Sequence, residues 1–285
     1  MDVKMTPRVL MCAPDHFGVR YEINPWMDLR KAPDLARAGR QWTALTAAYR
    51  AAGVSIEQVE PHPAQPDLVF TANAGLVAGK RFLISRFRHK ERRGEEPIFS
   101  AWAPKAGFEL VQPPPGMFFE GAGDALFCGD TLYLGHGWRT EARVAEWLAQ
   151  ELRVPVVPLK LTDPRFYHLD TCFCPLGPGV AMAAPVAFDI ASWRVLEKSV
   201  PRLIPVPQEI AVTFACNALV VGDRLIGSGP EALLKPLLAP LGLTPLFVEM
   251  SEFQKSGGAV RCLTLPLQGL GAQPAAWETE LDRAA

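Results

Sequence analysis

A cysteine, a histidine and several carboxylates lie far apart along this chain, yet their types are those of covalent catalysis. Cys262 follows shortly after a pair of glycines, which allow the backbone to approach a ligand closely. Arg261 beside it adds positive charge that favours a thiolate. His168 can act as a general acid–base. Glu120 lies on a loop of small residues that can pass close to a bound ligand.

These residue types suit a planar cation that is attacked at carbon. A guanidinium presents its N–H edges to carboxylate acceptors, while its central carbon faces a nucleophile. A thiolate at Cys262 would attack that carbon, and His168 would protonate the departing amine. His168 would then help a water molecule to attack the thiouronium intermediate. The residues therefore predict covalent chemistry on a guanidino group.

Each of these residues also has an ordinary structural explanation when it is taken alone. Cys262 fits a buried strand cysteine, and His168 fits a hydrogen-bonded core histidine. Glu120 fits turn chemistry, and Asp67, which follows Pro66, fits a strand edge. What favours the catalytic interpretation is the place that these residues share in a repeated pattern.

The pattern consists of five short apolar strands, about 45–50 residues apart, each preceded or opened by a polar residue. These polar residues are Asn73, Glu120 with Asp124, His168 with Asp170, Asn217, and Cys262. A glycine-containing turn and a second strand follow the first four strands, and a helix and a third strand complete each unit. Units of this size are typical of propellers and solenoids. Around an axis, an acid, a histidine and a cysteine would meet at one point.

Hydrophobic periodicity and proline positions predict where the other elements lie. Helices are expected over 34–52, 140–152, 185–196 and 230–238. Third strands are expected over 55–59, 109–111, 154–158, 203–206 and 245–248. Cys262 should open the strand 262–265, whose missing partner would be the strand formed by residues 9–11. That pairing would close the ring.

Composition limits the classes of protein to which this chain can belong. A net charge of -1 lacks the basic footprint of a nucleic-acid binder. Neither a signal-peptide pattern nor an apolar run of about 18–20 residues is present, so we expect a cytoplasmic protein that does not cross a membrane. The six cysteines should be reduced thiols, with no metal site. We expect one catalytic domain over 1–267 and a tail over 268–285.

Several longer motifs cover almost the whole chain in order and carry a family resemblance. They are Ile23–Met27, Pro66–Gly75, Phe119–Asp124, Phe166–Phe173, Phe214–Asn217 and Gly257–Cys262. With these motifs the chain resembles the guanidino-group-modifying enzymes of the pentein superfamily: arginine deiminase, dimethylarginine dimethylaminohydrolase and glycine amidinotransferase. It is most similar to the arginine dihydrolase type, which converts arginine into ornithine, ammonia and carbon dioxide. The resemblance implies an α/β fold, a five-bladed α/β propeller of pseudo-five-fold ββαβ repeats.

The resemblance also implies roles for individual residues, with no cofactor and no metal. Cys262 would be the nucleophile and His168 the general acid–base. Glu120 and Asp170 would hold the guanidinium and orient the histidine. The other implied substrate-binding residues are Asp67 close by, Arg92 and Arg139 on the substrate carboxylate, and Asn24 in the pocket lining.

Asn73 departs from part of the family pattern. Deiminases and dimethylargininases carry an acidic residue at this position, whereas the dihydrolase pattern has asparagine, as here. Our hypothesis is that a neutral amide lets a ureido intermediate stay bound and be attacked a second time, instead of leaving as citrulline.

Other functions remain open at this stage. The enzymatic alternatives are release of dimethylamine and citrulline from Nω,Nω-dimethylarginine, and amidino transfer to an amine that excludes water. A non-catalytic binding protein is the alternative from another class, because the propeller fold also occurs in ribosome-associated proteins. The expected partner is a small guanidino molecule, not nucleic acid or membrane, and a homo-oligomer stays open. Dihydrolase domains can be fused to a further domain; this chain ends soon after Cys262, so we expect no linked downstream activity.

Overall fold

The computed structural model of the protein describes residues 6–270. Within this range, fifteen strands form five sheets of three strands each. The strands are β1 (Arg8–Cys12), β2 (Ser55–Val59), β3 (Gly75–Ala78), β4 (Arg81–Ile84), β5 (Glu109–Val111), β6 (Ala125–Cys128), β7 (Thr131–His136), β8 (Val156–Lys160), β9 (Phe173–Gly177), β10 (Val180–Ala183), β11 (Arg202–Pro205), β12 (Leu219–Val221), β13 (Arg224–Gly227), β14 (Thr244–Phe247) and β15 (Leu265–Gln268). The helices are α1 (Leu35–Ala51), α2 (Glu96–Lys105), α3 (Val144–Leu152), α4 (Ile190–Ser199), α5 (Gln208–Ala211), α6 (Glu231–Leu238) and α7 (Ser251–Gln254). The predicted α/β class is confirmed.

All five sheets share one topology. The middle strand pairs antiparallel with the first strand and parallel with the third, as in β3-β4-β5 and β6-β7-β8. A helix connects the middle strand to the third strand, because a parallel pair needs a long crossover. The predicted order of strand, turn, strand, helix and strand is therefore confirmed as a pseudo-five-fold repeat.

One sheet joins distant parts of the chain. Its order is β15-β1-β2, with Leu10 opposite Leu265 in an antiparallel pair. The predicted pairing of residues 9–11 with the segment after Cys262 is confirmed, but the start of the strand was predicted three residues too early. The strand begins at Leu265, because a turn occupies the preceding residues. Cys262 thus lies in a turn and does not open a strand.

The hairpin turns follow the glycine positions in the sequence. Gly79, Gly129, Gly179 and Gly222 all have φ between 58° and 69°. This left-handed conformation is costly for residues with a Cβ, so glycine fits each tight connection. The predicted turns are confirmed at all four hairpins.

The helices differ from prediction mainly at their starts. α1 begins after Asp34, whose side chain accepts a hydrogen bond from the Arg37 amide. The predicted helix 185–196 is divided: a 3₁₀ turn, Pro185–Ala187, precedes α4, which has its own cap at Asp189. α2 was not predicted, and it contains Pro104 near its end.

Apolar side chains of the middle strands form much of the core. Leu10, Phe82, Leu134, Met182 and Ile226 are buried almost completely, one from each sheet. A cavity of about 510 Å³ borders the first strands of all five sheets. None of the helices within residues 6–270 has the length and apolar character needed to cross a membrane. β15 ends at Gln268, and most of the predicted tail, 271–285, lies outside the described residues.

Shortening a side chain in the β1–β15 contact tests this core. Leu10→Ala removes a fully buried side chain, so we expect the free energy of unfolding to fall by about 2–5 kcal/mol. Leu35→Ala is the matched control, because Leu35 is exposed at the start of α1, and its effect should stay within about 0.5 kcal/mol. Chemical denaturation measures both values. Equal losses in the two variants would contradict the described packing.

Candidate active site

The predicted catalytic residues lie in turns that precede the first strands. The 3₁₀ turns Thr71–Ala74, Gly121–Gly123 and Leu169–Thr171 lead into β3, β6 and β9. Cys262 lies in the equivalent turn before β15. Because the sheets repeat one topology, these turns occupy equivalent positions in the repeat. The residues in these positions are nearly or fully buried: Asn73, Glu120, His168, Asp170, Asn217 and Cys262.

Glu120 connects the histidine to an arginine. Its Oε2 lies 2.8 Å from His168 Nε2 and 3.2 Å from Arg139 Nη1. Burial opposes ionisation, yet the Arg139 guanidinium and the His168 hydrogen bond hold the pKa of Glu120 well below its usual range. An ionised carboxylate only accepts hydrogen bonds, so His168 Nε2 carries the hydrogen and Nδ1 is the free base. Burial lowers the pKa of His168 to about 4, so the ring is neutral at neutral pH.

The sulfur of Cys262 lies between an acid and an amide. Its thiol donates to Asp170 Oδ2 at 3.2 Å, and Asn217 Nδ2 donates to the sulfur at 3.0 Å. Burial and the adjacent Asp170 carboxyl raise the pKa of Cys262 well above its ordinary value. The positive charge of Arg261, which the sequence predicts to favour a thiolate, does interact with Cys262, but burial and Asp170 oppose it more strongly. Arg261 also lowers the pKa of Asp170, which burial raises to about 7.

Two carboxyl groups keep an oxygen without a hydrogen-bond partner. Oδ1 of Asp67 and Oδ1 of Asp170 are buried and unpaired within the described residues. Asp67 Oδ2 accepts a hydrogen bond from the Tyr21 hydroxyl at 2.9 Å. Burial raises the pKa of Asp67, although the Arg92 guanidinium opposes the change. Buried polar oxygens of this kind normally have partners, so these two are available to an additional donor.

Arg92 is bound on several sides by the protein itself. Its Nε and Nη2 donate to the two carboxylate oxygens of Glu95 at 2.7 and 2.8 Å. Nη1 donates to Asn73 Oδ1 at 2.8 Å, and Nη2 also donates to the Asp67 carbonyl at 3.2 Å. Asn73 Nδ2 in turn donates to the carbonyl of Glu120 at 3.2 Å. Asn73 is thus fixed between the Arg92 guanidinium and the backbone carbonyl of Glu120.

A small cavity joins these groups. Its lining includes Asn24, Asp67, Asn73, Arg92, Arg139 and Cys262, together with Ile23, Met27, Phe70, Tyr167 and Ser256. Glu120 and Asp170 contact this lining through their hydrogen bonds with Arg139 and Cys262, and His168 is hydrogen-bonded to Glu120 and lies with its ring 4.7 Å from that of Tyr167. The structure therefore brings all nine predicted site residues together. The enclosed space is about 10 Å³, room for roughly one water molecule.

The segment before the cysteine packs tightly under this lining. Gly257 has a φ of 84°, and a Cβ there would lie 2.8 Å from the Tyr167 hydroxyl oxygen. That hydroxyl donates to the Gly257 carbonyl at 2.9 Å. Asn24 Nδ2 donates to the Ser256 carbonyl at 3.0 Å, so Asn24 ties the 23–27 segment to the cysteine segment.

Sequence reasoning missed several residues of the site. Glu95 was not singled out, although an acid three residues after Arg92 is a spacing at which side chains meet on a helical turn. Tyr21 lay in no motif, and Tyr167 lay in the motif Phe166–Phe173 without being assigned a role. Asn217 was noted as a repeat position and as the end of the motif Phe214–Asn217, but not as a site residue, yet it contacts the sulfur of Cys262.

Comparison with known families agrees with this geometry. Residues 22–268 match the family described as "N,N dimethylarginine dimethylhydrolase, eukaryotic". The chain belongs to this family. The predicted resemblance to guanidino-group-modifying enzymes is thereby confirmed.

Arginine dihydrolases and dimethylarginine dimethylaminohydrolases are similar in sequence to this protein over most of its length. The bifunctional arginine dihydrolase/ornithine cyclodeaminase ArgZ of Synechocystis sp. is 46% identical over 264 residues, 90% of this chain and 37% of ArgZ. The N(G),N(G)-dimethylarginine dimethylaminohydrolase of Mycobacterium tuberculosis is 36% identical over 262 residues, 92% of this chain and 86% of that protein. The chain spans 37% of ArgZ and 38% of its bifunctional counterpart AgrE of Nostoc sp..

Solved structures of the N-terminal domain of ArgZ are similar to this protein over most of the chain. A cysteine-to-serine variant bound to substrate superimposes with a TM-score of 0.89 at 44% identity, over 94% of this chain and 99% of that chain. An asparagine-to-serine variant of the same domain is covalently bound to a reaction intermediate, with a TM-score of 0.89, 44% identity, and 94% and 100% coverage.

Removing the Asp170 charge should make the Cys262 thiol more acidic. In the unmodified protein, alkylation by chloroacetamide should become fast only at alkaline pH, because burial and Asp170 raise the pKa of Cys262. Asp170→Asn should move the midpoint of that pH profile down by about one pH unit or more. Mass spectrometry measures the rate at which the peptide containing Cys262 is alkylated. The same measurement on Cys262→Ser gives the alkylation of the other cysteines, which is not due to Cys262. A midpoint that stays in place or rises in Asp170→Asn would contradict this electrostatic description.

Proposed function

We propose that this protein hydrolyses the guanidino group of L-arginine through a covalent intermediate on Cys262, giving ornithine, ammonia and carbon dioxide. The observation that carries the proposal is the position of the Cys262 sulfur, 3.2 Å from a carboxyl oxygen of Asp170, in a cavity that Asp67 also lines. The 46% identity to ArgZ, which is named an arginine dihydrolase, supports this reaction over others of the family.

Substrate recognition begins with the buried acids. A guanidinium carries several N–H donors in a plane, and Asp67 and Asp170 each offer an unpaired buried oxygen. Burial raises the pKa of both groups, so the site without substrate holds negative charge poorly. A bound cation reverses this effect and favours the ionised carboxylates. The proposed pocket is therefore selective for a positively charged, multi-donor group.

Two arginines in the lining are the proposed partners of the substrate carboxylate, and their availability differs. Arg92 already donates four of its five N–H bonds, two of them to Glu95. Arg139 donates to Glu120 and to the Ile23 carbonyl, and its guanidinium lies over the Tyr167 ring at 4.7 Å. We assign the larger part in binding the carboxylate to Arg139, while Arg92 adds charge and fixes Asn73.

In the first half of the proposed reaction, a proton leaves the Cys262 thiol when the guanidinium arrives. The substrate cation offsets the Asp170 charge that keeps the sulfur protonated. Neutral His168, oriented by Glu120, accepts a proton through Nδ1. The sulfur attacks the guanidino carbon, and His168 returns the proton to the departing nitrogen, so that ammonia leaves and a thiouronium remains.

The second half consumes water. His168 takes a proton from a water molecule, which attacks the thiouronium carbon and gives a ureido group while the sulfur is released. The Cys262 thiolate then attacks the ureido carbon, which expels the second ammonia and leaves a thiocarbamate. A second water molecule, deprotonated by His168, attacks this carbon and releases the sulfur, and the resulting carbamate breaks down to ornithine and carbon dioxide. Two water molecules are consumed and two ammonia molecules are released in total. Asn24 is also assigned to the proposed binding residues, because it lines the cavity. The enclosed space is only about 10 Å³, so substrate entry requires the segment 23–27, which Asn24 ties to the Ser256 carbonyl, to move.

We further propose that the five sheets surround one axis as the blades of an α/β propeller. The cavity of about 510 Å³ supports this arrangement, because first strands of every sheet border it. Residues 1–267 would then form one catalytic domain, since the site takes residues from 24 to 262. The cysteines among the described residues are free and buried, which supports a cytoplasmic location.

Hydrolysis of dimethylarginine is the second candidate. The matched family description and the 36% identical mycobacterial relative favour it. Asn73 favours the dihydrolase, because the resemblance places an acidic residue there in dimethylargininases. The two reactions differ in their products, which are ornithine with ammonia in one case and citrulline with dimethylamine in the other.

Product analysis tests the proposed reaction directly. Incubation with L-arginine should yield ornithine and ammonia, and dimethylarginine should yield little dimethylamine. Cys262→Ala should abolish turnover, because no other group can form the thiouronium. Cys128→Ala is the matched control, since Cys128 is a buried cysteine that contacts the carbonyls of Gly177 and Val180, and it should remain active. Turnover in Cys262→Ala, or dimethylamine as the main product, would overturn the proposal.

Asn73→Asp tests what decides between ornithine and citrulline. A carboxylate cannot donate a hydrogen bond to a ureido oxygen and would repel it, so the ureido product should leave early. We expect the citrulline-to-ornithine ratio to rise roughly tenfold or more. Amino-acid analysis of the arginine reaction measures the ratio. An unchanged ratio in an active, folded Asn73→Asp protein would show that Asn73 does not set the outcome.

A further inference from the structure

Asn217 makes an unusually complete set of hydrogen bonds around the nucleophile. Its Oδ1 accepts from three backbone amides of the cysteine turn: Ala259 at 3.1 Å, Arg261 at 3.0 Å and Cys262 at 3.2 Å. Its Nδ2 donates to Cys262 Sγ at 3.0 Å and to the Asp170 carbonyl at 3.0 Å. Asn217 itself is fully buried. Every polar atom of the side chain therefore acts on the turn that carries Cys262 or on Asp170.

Only an amide of this length satisfies these contacts. The oxygen faces three N–H donors and the nitrogen faces two acceptors, which fixes the orientation of the amide. Aspartate would keep the oxygen for the turn but would place a second oxygen against the sulfur. Alanine would leave three buried amides and the sulfur without this partner. Asn217 thus joins two functions in one side chain, the shape of the turn and a donor to the sulfur.

The backbone before Asn217 supports a functional rather than an incidental position. Phe214 has a φ of 63°, a left-handed conformation that is rare for residues other than glycine. Its carbonyl accepts from the Asn217 amide at 2.9 Å, and its ring lies 4.7 Å from the Trp26 ring. Strained residues of this type persist where the surrounding structure holds them in place. Here the Trp26 contact and the hydrogen bond from the Asn217 amide hold Phe214 in this conformation, and that hydrogen bond also ties Asn217 to the Phe214 carbonyl.

We propose that Asn217 is a catalytic residue that stabilises the thiolate of Cys262 through its Nδ2 donor. The assignment rests on the proposed function, because it assumes that Cys262 reacts as a thiolate. In the resting thiol, Nδ2 donates to a neutral sulfur and the thiol hydrogen goes to Asp170. Once the proton leaves, the Asn217 hydrogen bond becomes charge-assisted and roughly twice as strong. Asn217 is therefore a donor whose effect grows as the nucleophile forms.

Other charged or titratable groups act on the same sulfur. Asp170 opposes a negative charge there and Arg261 favours it, whereas the Tyr167 hydroxyl stays neutral because burial and Cys262 raise its pKa. Of the two side chains that contact the sulfur at hydrogen-bond distance, Asp170 opposes thiolate formation and Asn217 assists it. The thiolate in this site depends on the balance between these two neighbours. A substrate cation shifts the Asp170 side of that balance, whereas Asn217 is present in every state.

The test measures the acidity of Cys262 without substrate. The rate of alkylation of the Cys262 peptide by chloroacetamide is followed from neutral to alkaline pH in the full chain. Asn217→Ala should raise the midpoint by about one pH unit, which lowers the rate at a fixed pH below the midpoint roughly tenfold. Asn217→Asp retains the oxygen for the turn and should raise the midpoint at least as far. Ser228→Ala is the control, because Ser228 is a buried polar residue outside the site and should leave the midpoint unchanged.

The outcomes separate this assignment from the proposed reaction. A raised midpoint in Asn217→Ala with an unchanged near-ultraviolet dichroism spectrum supports the donor role, because alanine removes the donor and adds no charge beside the sulfur. Unchanged midpoints in the folded Asn217 variants overturn the assignment, even if arginine is hydrolysed. If Asn217→Ala does not fold, the decision rests on Asn217→Leu, which keeps the approximate volume, removes the donor and also adds no charge. Absence of arginine turnover in the unmodified protein would overturn the proposed function alone, because the alkylation midpoint does not depend on the substrate.

Discussion

The burial of carboxyl groups is the constraint on which this site depends. Five carboxyl groups are buried here with three guanidinium groups: Asp67, Glu95, Glu120, Asp124 and Asp170 with Arg92, Arg139 and Arg261. Ionised acids in a low-dielectric interior need partners, and one that lacks a cation tends to stay protonated. Glu120 has Arg139 and His168 and is ionised, whereas burial raises the pKa of Asp124 well above its usual value. With Asp124 protonated, four carboxyl groups remain for three guanidinium groups, so the site lacks one positive group.

This lack explains how recognition and reactivity are connected. In the proposed reaction, a cationic substrate would supply the missing charge and favour the ionised carboxylates of Asp67 and Asp170. Its positive charge would also offset that of Asp170, which lies 3.2 Å from the sulfur and otherwise keeps Cys262 protonated. Without the cation, Cys262 stays a thiol, which protects it from oxidation and from unrelated electrophiles. The repeated fold contributes the turns that hold these mutually repelling carboxyl groups close together.

The repeat and its hairpins could be predicted because their causes are local. A turn glycine such as Gly79 or an apolar run such as the one at Leu126 determines the conformation of only a few neighbouring residues. The approximate membership of the site followed from the repeat and the family resemblance. The hydrogen bond from Arg139 to the Ile23 carbonyl could not be predicted in the same way, because it depends on how remote segments of the chain meet. The protonation of Cys262 was also out of reach, since it depends on burial and on a distance to Asp170 that no spacing in the sequence encodes.

The pairing of β1 with β15 has a consequence for the order in which activity appears during folding. Arg8 and Gln268 are 260 positions apart, whereas each of the other first strands pairs within a hairpin. Contacts between remote segments carry the larger loop-closure cost and form late. The cysteine turn leads directly into β15, so it acquires its final position only when this contact forms. A refolding chain would regain its spectroscopic secondary structure first and its chemistry last, which makes enzymatic turnover a sensitive reporter of the final docking step.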